Sequence, residues 1–301
     1  MKSKSIFWPG IIAALLLGVS ALAVSPAWGE EIPFDISLSI NWVRGELASR
    51  VSFELAAAGI KLPAGRFLAE ETLEQAYPTL LRPHLLSLKV DSGATINTLV
   101  ERGDLLLGEL DTLCQKAEKV PPSLSPDLLN MNSGYTVLMD KISSLLMKHR
   151  RAVEPERPLI PTAAADYTGI IIIADSELPI QGRRETAYME PCLFPKIWDT
   201  GMNLVYERNM YDPLAGGCIV RYAPRDSIFR PTPSGLDAEL SAFVGPNPLR
   251  IIARRIFGIN LTDPVIDRND ALKILSSSNN RRLLREGRVV LVLNEDKLVT
   301  Y

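Results

Sequence analysis

The sequence predicts an α+β protein: mixed β-sheets covered by a few helices and divided into two small domains. Three observations lead there. Strand-length apolar patterns occur in both halves, alternating at Ile36–Ile40 and continuous at Ile170–Ala174 and Val289–Leu293. Helical periodicity is confined to separate segments between them. A stretch with three prolines, Glu154 to Pro161, interrupts the chain near its middle.

In the first half, Ile36-Ser37-Leu38-Ser39-Ile40 has the period of a half-buried strand, and Val51, Phe53 and Leu55 extend a second. Arg66 to Tyr77 predicts a helix. Phe67, Leu68, Leu73 and Ala76 are expected on its core side, with Glu70, Glu71 and Glu74 in water and Pro78 and Pro83 limiting it. Leu85–Val90 and Thr95–Val100 predict a hairpin through Asp91-Ser92-Gly93. Leu105–Lys119 reads as helix, Pro121–Pro126 as loop, Tyr135–Met139 as strand and Ile142–His149 as helix.

The proline stretch marks a boundary between residues 30–153 and residues 162–301, with 154–161 as a stiff linker; a rigid loop inside one compact unit is the other reading. Beyond it, four consecutive isoleucines from Ile170 predict a central strand buried on both faces. Leu193–Trp198 and Asn203–Tyr206 flank the turn Asp199-Thr200-Gly201, and Gly216-Gly217 precedes a strand at Cys218–Tyr222. Residues 224–248 carry five prolines and read mostly as loop. Leu249–Phe257 and Pro264–Ile266 predict strands. A helix from Asp270 is interrupted near Ser276–Ser278 and ends at Gly287, before the closing strand Arg288–Leu293.

Residues 1–29 are expected to be a cleaved secretory signal. Lys2 and Lys4 precede the fourteen uncharged residues Ile11–Val24, and Ala27-Trp28-Gly29 supplies small residues at the cut. As a helix that apolar run spans about 21 Å, short of a hydrocarbon core of about 30 Å. No cysteine stands near the cut to carry lipid. The expected location is the periplasm, with any outer-membrane association through protein contacts and no transmembrane span after cleavage. Without Lys2 and Lys4 the chain has 31 basic residues against 35 acidic, a net of −4, which argues against nucleic acid as a partner.

No catalytic, cofactor-binding or metal-ligating residue is assigned. His84 and His149, the two histidines, are far apart, and Cys114, Cys192 and Cys218 lack zinc spacing. Asp263, Asp267 and Asp270 lack the order of a calcium loop and read as turn and helix-cap residues. There is no nucleophile elbow and no phosphate loop. Asp175-Ser176-Glu177, just past the isoleucine strand, stands where sites often lie but reads as a solvated strand-to-loop exit. Arg281, Arg282, Arg285 and Arg288 form a basic cluster at a helix end, where the helix dipole alone favours positive charge. Asn260-Leu261-Thr262 matches a glycosylation triplet by chance. The cysteines either pair as Cys192–Cys218 in an oxidising compartment or are all small buried side chains.

Two sets of segments carry a family resemblance. One is Tyr167-Thr168-Gly169 with the isoleucine run, then Pro195-Lys196-Ile197-Trp198-Asp199, Gly201 and Val205-Tyr206. The other is Asn247-Pro248-Leu249, Thr262-Asp263 and Val289–Leu293, with Gly65-Arg66 and Val90-Asp91-Ser92 earlier in the chain. This order resembles bacterial envelope proteins related to FlgP and FlgT, lipoprotein-like or periplasmic proteins that help build outer-membrane-associated flagellar structures. The lipid-bearing cysteine of many such proteins is absent here. The resemblance implies a non-enzymatic structural or assembly protein with envelope or flagellar partners, self-assembly into an oligomer and no catalytic residues. A periplasmic small-molecule or glycan-binding module is the alternative reading, and a hydrolase with a dispersed site the third.

Overall fold

The computed structural model describes residues 33–301, so the expected signal peptide, residues 1–29, lies outside the described residues. Alternation decides the first sheet. In β1 (Phe34–Asn41) the residues Phe34, Ile36, Leu38 and Ile40 turn toward the core, while Asp35 and Ser37 are exposed on the other face. β2 (Glu46–Glu54) runs back antiparallel, bringing Phe34 opposite Phe53 with their rings stacked at 4.5 Å. Three helices follow, α1 (Arg66–Ser87), α2 (Ile96–Glu101) and α3 (Leu107–Gln115). Then come β3 (Glu118–Leu124), β4 (Asn130–Leu138) and α4 (Met139–Leu146). β4 pairs β2 throughout, and β3 forms one edge of the sheet.

The first domain departs from its sequence pattern at three places. α1 runs through Pro78 and Pro83 to Ser87, because Leu73, Tyr77, Leu81 and Leu85 keep a four-residue stripe buried on the sheet. That packing outweighs a cost of about 3 kcal/mol for a proline inside a helix. Phe67 and Leu68, expected in the core, are 76% and 55% exposed because they lie off this stripe. The expected hairpin after it shrinks to a single bridge, Lys89 to Thr95, since the Thr95 and Thr98 side chains cap α2 reciprocally and start a helix instead. β3 occupies the expected proline loop: Pro121 and Pro122 are tolerated on an edge strand, at a bulge between Val120 and Ser123.

The second domain opens with β5 (Ile170–Ala174) and the short strands β6 (Leu178–Pro179), β7 (Thr186–Ala187), β8 (Ile197–Asp199) and β9 (Leu204–Tyr206). β10 (Arg221–Pro224), α5 (Ala238–Val244), β11 (Leu249–Ile252), β12 (Arg255–Phe257) and β13 (Asp263–Ile266) follow. α6 (Arg268–Ser276), α7 (Ser278–Arg285) and β14 (Val289–Leu293) complete it. β10, β14, β5 and β11 make a wholly parallel sheet in that order, with Ile172 of β5 directly opposite Leu291 of β14. Ile171, Val290 and Val292 meet Leu240 and Val244 of α5 on one face; Ile172 and Leu291 enter the main core on the other. Burial on both faces is why these strands read as unbroken apolar runs. The expected strand Leu249–Phe257 divides between two sheets, its second half joining β12-β13-β8-β9.

The chain closes with α8 (Glu295–Leu298) and β15 (Val299–Thr300), which pairs antiparallel with β1 and so returns to the first sheet. One hydrophobic core runs from Trp42 to Leu298 through both domains, and residues 33–301 form one compact unit. Among the described residues no helix is long and apolar enough to cross a membrane.

Candidate functional site

The acidic residues that the sequence singles out are engaged within the protein. Asp175 follows β5 at the carboxyl edge of the parallel sheet, where open α/β sheets bind ligands. Its carboxylate is 9% exposed and receives Arg225 Nη1 at 2.7 Å. Glu177 accepts the Thr186 hydroxyl at 3.0 Å across the β6–β7 pair. Asp267 caps α6 by accepting the Asn269 N–H, as its sequence position predicts, and Lys273 holds Asp270 at 2.8 Å. Among the described residues no group of histidine, cysteine and acidic side chains has the arrangement of a metal site.

Asp263 belongs to none of these surface roles. It is fully buried, accepting the Lys196 N–H at 3.1 Å on one carboxylate oxygen and the Trp198 indole N–H at 3.0 Å on the other. Burial raises its pKa, and the donors from Trp198 and Lys196 oppose that rise only in part. The segment Thr262-Asp263 carries part of the family resemblance, yet nothing in its spacing signals a buried carboxylate. The Thr262 hydroxyl donates to it from the next position at 3.2 Å, but the Lys196 and Trp198 donors lie more than sixty positions away.

The arginine cluster is dispersed by the fold. Arg281 is buried, donating to the Leu275 carbonyl at 2.5 Å, with its Nε 3.8 Å from Glu154. Arg282 pairs with Glu286, Arg285 approaches Asp212, and Arg288 bonds Glu286 and the Phe243 carbonyl. His149 Nε2 lies 2.9 Å from the Tyr211 carbonyl, and Asn260 donates to the Asp91 carbonyl, a structural use of the glycosylation triplet. The Cys192–Cys218 pairing is not formed; all three cysteines are free. Cys192 is buried beside Thr262, with its N–H on the Tyr222 hydroxyl, whereas Cys218 faces Ser143 Oγ at 4.0 Å. The two thiols therefore look into different surroundings.

A cleft of about 320 Å³ lies at the seam between the domains. Trp42 and Arg44, from the β1–β2 turn, and Asp140, from the first turn of α4, form one wall. Cys218, in the segment before β10, Arg221, its first residue, and Glu239 of α5 form the other. Gly216 and Gly217 lead into β10 with φ of 72° and 89°, a left-handed path that glycine follows without strain. The Arg221 guanidinium lies 4.0 Å from the centre of the Phe243 ring and 3.8 Å from Glu239. Asp140 Oδ1 is buried there without a hydrogen-bond partner. Burial raises the Cys218 pKa, the Asp140 charge adds to the rise, and Ser143 and Arg221 oppose it. A protonated thiol is a poorer nucleophile than a thiolate.

These features define a class: a two-domain α+β protein whose domains share a core and meet at a polar cleft. In sequence, residues 33–145 match the family model described as Treponema pallidum Tp0624, N-terminal domain, and residues 169–295 match that described as Treponema pallidum Tp0624, second domain. The chain is thus similar to that protein over two successive regions, with the proline-rich residues 154–161 falling between them. No curated protein matches the chain.

Proposed function

We propose that this protein is a non-enzymatic structural or assembly component of the bacterial envelope, acting in the periplasm through its surfaces and associated with the flagellum. The observation that carries the reading is the set of apolar side chains left outside the first domain. Phe67 and Leu68 open α1, Leu106 stands just before α3, and Leu128 and Leu129 form the turn into β4, all more than half exposed. Phe67 and Leu68 are adjacent in sequence, and exposed apolar surface that forms a patch is commonly covered by a partner. The resemblance to envelope proteins related to FlgP and FlgT supports the flagellar connection, and Lys2, Lys4 and Ala27-Trp28-Gly29 support export. The family-model descriptions name no flagellar role.

A deletion strain tests the reading. It is expected to lose an assembled envelope structure or motility, and complementation with Asp175→Asn or Glu177→Gln should restore it. A paired Phe67→Ser, Leu68→Ser change should fail to restore it while the protein stays folded and abundant. If one of the carboxylate changes abolishes function in folded protein, catalysis replaces assembly as the explanation. The seam cleft favours the alternative, a small-molecule or glycan-binding module, because Asp140 Oδ1 lacks a donor. A ligand that raises Tm in the parent protein but not in Asp140→Asn would select that alternative.

A further inference from the structure

We infer that β1 is a self-association edge, joining two copies of this chain antiparallel about a two-fold axis at Ile36. The inference deepens the assembly reading, on which it rests, by naming one partner and the register in which it binds.

Two hydrogen bonds orient the strand. Glu54 N–H donates to the Pro33 carbonyl, so the odd-numbered residues of β1 direct their backbone groups to β2. Trp42 N–H donates to the Leu298 carbonyl on the opposite side, so the even-numbered residues point outward. β15 satisfies the outward groups only at Ile40, opposite Thr300. Among the described residues, those of Phe34, Ile36 and Leu38 have no partner strand.

The two edges of this sheet are built differently. β3 is blunted by Pro121 and Pro122, by its bulge and by Glu118 and Lys119, the devices that keep an edge from pairing. β1 is regular over eight residues, without proline, lysine or bulge, and Asp35 is its one charge. β15 already pairs with it antiparallel, so the edge accepts a strand in that direction.

The register follows from the free groups. Outward residues must meet outward residues, and all three are used when Phe34 faces the partner's Leu38, Ile36 the partner's Ile36, and Leu38 the partner's Phe34. The partner's Pro33 then comes opposite Ser39, so Tyr301, which follows β15 and is 95% exposed, has to turn aside. Each pair exchanges two N–H···O=C bonds, about six in all. Apolar side chains then meet apolar ones on the core side, and on the exposed face Asp35 meets the partner's Ser37, with no like charges opposed. A second copy fits this edge because the strand is complementary to itself in pattern and in charge.

Sedimentation of the full chain tests the pairing, using an exposed position. Ser37→Asp sets like charges beside the partner's Asp35 twice per interface and is expected to weaken association about tenfold; Ser37→Lys sets opposite charges there and should tighten it at low salt. Arg50 faces Ser37 within the same sheet, so inside one copy the aspartate is favoured and the lysine disfavoured, the reverse order. The sign therefore separates the interface from an effect on folding, which Tm reports independently. Asp35→Cys with Ser37→Cys should give a covalent dimer on oxidation, and each single change should not. A parent protein that stays monomeric, or two charge variants that shift association in the same direction, would overturn the pairing. Either outcome leaves the deletion-strain test of the assembly reading untouched.

Discussion

The carboxylate of Asp263 and the indole of Trp198 are joined by a 3.0 Å hydrogen bond in which the acceptor is wholly removed from water. A charge in that position survives only on the donors fixed around it, since an unpaired buried carboxylate is costly. The Lys196 N–H reaches the second oxygen. Asp263 thus ties β13 to β8 across their parallel pairing.

Asp263→Asn should destabilise the protein by about 1–3 kcal/mol, because the amide NH₂ must face one of two donors. The pH dependence has a definite sign. With its folded pKa raised, Asp263 contributes stability fully below the unfolded carboxyl value of about 3.9 and loses it as pH rises through the folded pKa. Urea denaturation across this window should show a falling contribution in the parent protein and none in Asp263→Asn.

Ile172→Ala should cost about 2–5 kcal/mol, the range for a large core side chain replaced by alanine. Ile172 lies between Leu291 of β14 and Ile251 of β11, fully buried, in the centre of the parallel sheet. An unchanged denaturation midpoint would remove this strand from the centre of the core.

Glu190 receives both Lys89, at 3.2 Å, and Lys297. Its burial raises the pKa, but hydrogen bonds and charge from Lys297 and Lys89 overcome this and leave it lowered. Its contribution is therefore present above the unfolded glutamate value of about 4.3 and is lost as pH falls through the folded pKa. Glu190→Gln should cost about 1 kcal/mol at neutral pH, and thermal melts from neutral to acid pH should show the difference closing.

Cys114 and Cys192 should resist Ellman's reagent in the native protein, Cys218, half-buried in the cleft wall, should react slowly, and all three should react once it is unfolded. Burial is the largest cause of the raised pKa at each, with Cys114 pushed up to about 11. Fewer than three thiols in denaturant would reveal a disulfide absent from this structure.

The two central strands were legible because burial on both faces writes itself into the sequence as Ile170–Ile173 and Val289–Leu293; that they are neighbours in a parallel sheet is set by topology. The reach of α1 was not, because Pro78 and Pro83 are local signals overruled by a buried stripe that only tertiary packing rewards. Asp175 and Glu177 were visible as acids past a strand, but their partners Arg225 and Thr186 are set by topology. The seam cleft assembles Trp42, Asp140 and Arg221 from distant segments, so no window of sequence contains it.

The pairing of β15 with β1 also has a kinetic meaning. Asn41 and Val299, opposite one another, stand 258 positions apart. Against a four-residue hairpin loop that is about six doublings of loop length, or ~3.6 kcal/mol of closure entropy. So remote a contact gains little until the intervening chain has already condensed. Were the chain to emerge from a translocation channel amino end first, β1 would wait with that side uncovered until Val299 and Thr300 arrived. The opening strand of the first sheet, paired early with β2, would thus be among the last to acquire its second neighbour.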